Sequence, residues 1–203
     1  AALQQALAGN ENYEVVVKHT DQLKDLKWSS FDLVVWHDPG KGFSEQYLKE
    51  LRSKQIPVWY ILGSQTDEQI ATKLNTGLQL TLKTQLEEIQ ATPNKGFGLY
   101  QPNSEWLSLT DALPPLTKRL GEVKATAGTQ VLFTQRIGNL QKGTPLLTFS
   151  DRNQQRNACL LGEGLWRWRM VNYVKKQNHE AFDAFVGEIC AYLMVKKEGS
   201  GLR

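Results

Sequence analysis

The feature that most constrains this chain is a pair of short apolar runs spaced for a β-α-β unit. Residues 31–36 (Phe-Asp-Leu-Val-Val-Trp) and 57–62 (Pro-Val-Trp-Tyr-Ile-Leu) are of strand length and rich in β-branched and aromatic side chains. Each closes on a turn signal, His-Asp-Pro-Gly at 37–40 and Gly63. Between them, residues 44–53 carry Tyr47, Leu48 and Leu51 on one helical face. Runs of this kind are typical of central parallel strands covered by helices. Residues 13–18 (Tyr-Glu-Val-Val-Val-Lys) read as a further strand, 21–27 as a helical turn capped by Asp21, and 66–74 as a helix. The alternation predicts an α/β fold, a mostly parallel sheet with helices on both faces and right-handed crossovers. Ligand sites in such a sheet lie at the carboxyl ends of the strands.

The second half is patterned differently. Residues 79–82 and 98–101 read as short strands, and 104–113 as a helix closed by Pro114-Pro115. After Glu122, residues 131–137, 145–149 and 157–161 read as strands between Gly-bearing turns, in a partly antiparallel segment. Helices follow at 165–174 and 179–195, and another opens the chain at 1–8, ended by Gly9-Asn10. This gives one domain over residues 1–195 and a polar tail or linker over 196–203. A domain of this type begins with a strand, so a first strand ahead of Ala1 is expected.

With 203 residues, 40% of them hydrophobic and 22% charged, the chain can bury a core and is not of disordered composition. A net charge of +3, and basic residues in small separate clusters such as Lys175-Lys176 and Lys196-Lys197, argue against nucleic acid as a partner. No apolar run approaches the roughly 20 residues that span a bilayer, so membrane attachment is expected only through regions outside this segment. Cys159 and Cys190 each sit in an apolar stretch and read as buried free thiols.

The most distinctive stretch is Leu161-Gly162-Glu163-Gly164-Leu165-Trp166-Arg167-Trp168-Arg169-Met170, a strand entering a helix through a Gly-Glu-Gly turn. The glycines permit a tight turn, and the helix start offers free N–H groups to an anion or carbonyl oxygen. Trp166 and Trp168, two residues apart, cannot share a helical face. One is expected to pack inward and the other to cover a neighbouring loop, with Arg167 and Arg169 stacking on them or pairing with carboxylates. The corner reads first as a junction pinned by aromatics and second as a ligand site.

This Gly-Glu-Gly-Leu-Trp-Arg-Trp-Arg corner resembles a family of bacterial membrane proteins, mostly from Bacteroidetes, that carry an extracytoplasmic domain similar to class I glutamine amidotransferases. Some relatives in that family contain von Willebrand factor A modules. Residues 3–17, Phe31-Asp32-Leu33-Val34, Ile56-Pro57-Val58 to Leu62-Gly63, Pro114-Pro115-Leu116 and Pro145-Leu146-Leu147 extend the resemblance over nearly the whole chain. It implies a three-layer, flavodoxin-like sheet, a periplasmic location, and partners among other cell-envelope proteins or an unknown small ligand.

Amidotransferase chemistry needs a cysteine on a strand-to-helix elbow, activated by a later histidine and glutamate. The best-placed elbow here is Leu62-Gly63-Ser64-Gln65-Thr66, with Ser64 at the cysteine's position and bulky residues where an elbow wants small ones. Neither cysteine lies at an elbow, and His179, the one later histidine, reads as a cap residue. The expected function is therefore a non-catalytic binding or assembly module. The alternative is a small-molecule hydrolase or ligand-binding enzyme using the strand ends, with Ser64 as its weak nucleophile. The binding set is His37, Asp38, Gly63, Ser64, Glu163, Trp166 and Arg167. No cofactor is expected. His19, Asp21, His37 and Asp38 read as polar residues closing strands rather than metal ligands, and Gly40-Lys41-Gly42 lacks phosphate-loop spacing.

Overall fold

In the computed structural model the apolar runs form the parallel part of a mixed sheet. The structure describes residues 2–40, 43–138 and 140–195. The expected tail at 196–203, with Lys196 and Lys197, and Lys41 and Gly42 of the glycine turn lie outside the described residues. Helix α1 (Ala2–Ala8) opens the chain, and β1 (Val34–His37), α2 (Glu45–Ser53) and β2 (Val58–Leu62) form the β-α-β unit. The Ser44 hydroxyl starts α2 by accepting from the Gln46 amide at 3.2 Å, and Leu48 and Leu51 bury its inner face. All five residues of β2 are buried. A short helix, α3 (Glu68–Ala71), follows, with Asp67 accepting from the Ile70 amide at 3.1 Å.

Thereafter the chain returns mostly by hairpins. The elements are β3 (Leu78–Pro93), α4 (Ser104–Leu109), β4 (Leu116–Ala125), β5 (Gln130–Ile137), β6 (Leu140–Arg152), β7 (Gln155–Leu161), α5 (Leu165–Lys176) and α6 (Glu180–Met194). The sheet order is β1-β2-β7-β6-β5-β3-β4. Only β1/β2 and β2/β7 pair in parallel; β7/β6, β6/β5, β5/β3 and β3/β4 are antiparallel. This corrects the flavodoxin-like, mostly parallel expectation. A parallel return needs a crossover of a dozen or more residues, whereas β6 turns into β7 over Asn153 and Gln154 alone, both at positive φ (51° and 63°).

Three local expectations also change. Residues 13–18 form no strand and have no ladder partner, residues 98–101 form no strand, and the turn expected from Asp21 is a 3-10 turn, Thr20–Gln22, capped at His19. Both cysteines are buried and unbridged, as read, and burial pushes the Cys190 thiol up to about 12.

Register assigns the helices to faces. Trp36, Tyr60 and Cys159 are aligned across β1, β2 and β7, and Trp36 stacks on Tyr47 of α2. Val35, Trp59, Ala158 and Phe149 are aligned on the other face, where Phe149 meets Tyr192 of α6 edge-on at 5.4 Å. Helices α1, α4 and α5 pack with α6 on this second face.

Candidate functional site

The carboxyl ends of β1, β2 and β7 bring part of the expected set together. A methyl group on Gly63 would lie 2.7 Å from Glu163 Oε2 and 3.1 Å from Asp38 Oδ2, so the two carboxylates flank that glycine. Asp38 sits at φ 54°, a left-handed conformation that aspartate tolerates. Its Oδ1 accepts from the Gly63 amide at 3.1 Å and the Thr66 hydroxyl at 2.6 Å, and its Oδ2 accepts from the Gln65 amide at 3.1 Å. Asp38 is thus a clamp on the loop after β2. Asp38→Ala leaves the Gly63 amide and the buried Thr66 hydroxyl without their acceptor. It should cost about 2 kcal/mol, read as a lower urea midpoint, with faster amide exchange confined to residues 63–66.

The remaining members of the set do not converge. His37 is exposed. Ser64 Oγ has the Gln65 side chain as its hydrogen-bond partner, at 3.4 Å, and among the described residues no histidine hydrogen-bonds to it as a base would. His179 stands at the start of α6, with Nδ1 3.2 Å from the Arg169 carbonyl and its ring tilted against Tyr173. Among the described residues no group of three or more His, Cys, Asp or Glu is placed to hold a metal ion.

What occupies the strand ends is the long β3–β4 ribbon. Thr117 and Glu163 exchange backbone hydrogen bonds at 3.0 and 2.8 Å, and Arg119 Nη1 donates to the Thr66 carbonyl at 2.5 Å. Lys118, 3% exposed, donates to the Glu87 carboxylate at 2.5 Å. The space left between Leu62, Gly63, Leu161 and the ribbon residues Leu82, Lys118, Arg119 and Val123 is about 10 Å³, room for one water. A larger recess of about 210 Å³ lies between α2 and α3, floored by Phe43, Leu48 and Ile70, but it is below the usual size of a small-molecule site. Sequence reasoning missed Thr117, Lys118 and Arg119. The signal available was the alternation of β4, in which Leu116 and Lys118 point inward.

The Gly-Glu-Gly turn forms as read, with Gly162 and Gly164 at φ 137° and 115°, where glycine is favoured. Trp168 turns inward and is fully buried, its Nε1–H donating to the Pro114 carbonyl at 2.8 Å. Trp166 covers no loop; it points outward and is 61% exposed. Arg167 reaches Thr117 Oγ1 at 3.4 Å and stands 4.0 Å from Glu88, while Arg169 makes a two-point contact with Asp183 at 3.0 and 3.2 Å. Beyond Trp166, the outer face of α5 continues with Met170, Tyr173 and Val174, all exposed.

No family model matches the sequence, and no curated protein matches it. Solved structures do. Cytoplasmic Protein STM1381 from Salmonella typhimurium LT2 is 16% identical, with 92% of this chain and 85% of that chain covered and a TM-score of 0.63. Cytoplasmic Protein STM3548 from Salmonella typhimurium is 14% identical over the same shares, at a TM-score of 0.52. The exo-β-1,4-mannosidase Op5Man5 from Opitutaceae bacterium strain TAV5 is 12% identical at a TM-score of 0.52, covering 96% of this chain and 31% of that one. At these identities the likeness is one of fold. These findings overturn the resemblance to amidotransferase-like domains of Bacteroidetes membrane proteins, and with it the expected envelope-module function. The periplasmic placement falls with them, since STM1381 and STM3548 are each described as a cytoplasmic protein.

Proposed function

We propose that this chain is a protein-docking domain whose partner covers the outer face of α5. The observation that carries the reading is the apolar stripe Trp166, Met170, Tyr173 and Val174, between 44% and 66% exposed. Spacings of four, three and one place these residues on one face of the helix, opposite buried Leu165, Trp168 and Asn172. A contiguous exposed patch built from Trp, Met and Tyr has the composition of an interface centre, unlike scattered single exposed residues. The stripe is bordered by Arg167 on one side and by Arg169 and Lys176 on the other, and each of these stands beside a carboxylate of the same chain, Glu88, Asp183 and Glu105. The stripe then favours a partner segment whose own centre is apolar and aromatic. The filled strand ends support a surface role over a pocket role.

The test places a photo-reactive side chain at position 170 and identifies the segment it labels. A synthetic copy of that segment should bind the purified chain. Binding should weaken at least ~10-fold with Trp166→Ala or Met170→Asp. Labelling confined to other copies of this chain, or binding indifferent to both substitutions, would sink the proposal.

A further inference from the structure

β1 is the outermost strand on its side of the sheet. The Val34 amide donates to the Pro57 carbonyl at 3.0 Å and the Asp38 amide to the Ile61 carbonyl at 2.7 Å, so the even-numbered amides face β2. In a parallel ladder the intervening residues, Val35 and His37, aim their N–H and C=O groups outward. β1 contains no proline and no buried charge, two of the devices that blunt an edge against pairing.

A second observation concerns the path of the chain. Helix α1 packs against α5 and α6 on one face of the sheet, whereas Trp28 stacks on Trp36 at 5.9 Å on the other. Residues 9–27 therefore carry the chain from one face of the sheet to the other. Within that passage lies Tyr-Glu-Val-Val-Val-Lys, residues 13–18, a strand-forming sequence with no ladder partner, whose Val16 and Val17 are exposed.

Connections between parallel strands are right-handed in nearly all proteins. With α1 on one face and the Trp28 connection on the other, both crossovers are right-handed if a parallel strand leading into α1 lies between β1 and residues 13–18. We propose that the open edge of β1 takes such a strand, contributed by the same polypeptide outside residues 2–195. It hydrogen-bonds to Val35 and His37 on one side and to residues 13–18 on the other, covering Val16 and Val17.

Amide exchange tests this by comparing residues 1–203 with the natural polypeptide carrying the residues that precede α1. The proposal expects the Val35 and His37 amides, and those of residues 15–17, to exchange at least ~100-fold more slowly in the longer chain. Val35→Pro, which removes an outward-facing N–H, should abolish that gain in the longer chain while leaving the melting temperature of residues 1–203 little changed. The exchange comparison stands even where the proline variant folds poorly. Equal exchange in the two chains overturns the proposal. So does protection of Val35 and His37 in residues 1–203 that grows with concentration, since the edge then pairs between copies.

Discussion

Trp168→Ala is expected to lower stability by about 3–5 kcal/mol, the range for deleting a fully buried large aromatic side chain. Trp168 joins three elements. Its ring lies 5.9 Å from Trp106 of α4, 6.2 Å from Phe133 of β5 and 6.4 Å from Phe185 of α6, and its indole N–H satisfies the Pro114 carbonyl. Truncation opens a cavity at this junction and removes the donor from a half-buried carbonyl. Trp166→Ala, two residues away on an exposed face, should change stability by no more than about 0.5 kcal/mol. Trp168→Phe separates the two contributions, keeping much of the ring contact but not the hydrogen bond, and should fall between them. Urea midpoints of the three variants, taken with one common slope, decide this. A loss under about 1 kcal/mol for Trp168→Ala would mean that the corner is not held by this side chain.

That contrast also shows what could be read from the chain before its structure. The two-residue spacing of Trp166 and Trp168 requires different faces, but spacing cannot say which turns inward or what the other meets; one of the two is expected over a loop, and Trp166 meets solvent instead. The β-α-β unit was legible because each of its elements carries its own signal, including the Tyr47, Leu48 and Leu51 face of α2 and the five-residue apolar run of β2. The ribbon was not. β3 shifts register between Leu82 and Leu86, so its inward residues, Leu80, Leu82, Ile89 and Ala91, do not keep one period of two. Its charged pair Glu87 and Glu88 resembles a loop until Lys118 is placed beside Glu87. Without the ribbon, the strand ends look like an open site. The same gap turned a mixed sheet into an expected parallel one, since apolar runs report burial and not the direction of the neighbouring strand. Residues 13–18 carry the composition of a strand yet have no partner, because propensity supplies no ladder by itself.

The ribbon's geometry makes Gly121 the second position of large effect. A methyl group there would stand 1.8 Å from the Thr81 carbonyl oxygen, 2.8 Å from its carbon and 3.1 Å from the Leu82 Cα. All three are backbone atoms of the paired strand, so no side chain can swing aside. Gly121→Ala therefore forces β3 and β4 apart where Leu82 pairs with Gly121, beside the register shift. Several ladder hydrogen bonds at about 1 kcal/mol each, together with the burial of Leu80 and Leu82, are at risk. The expected loss is about 3 kcal/mol or more. It should be local in its first stage, because the Trp106–Trp168–Phe185 cluster contains no residue of β3 or β4. Amides of β3 and β4 should exchange faster than those of α5 and α6, and the Arg119–Thr66 tie over the strand ends should loosen with them. Gly98→Ala is the control, since no atom lies within 4 Å of the added methyl. If Gly121→Ala melts with the parent chain and keeps ribbon exchange unchanged, β3 and β4 can separate at no cost, and the ribbon does not seal the strand ends.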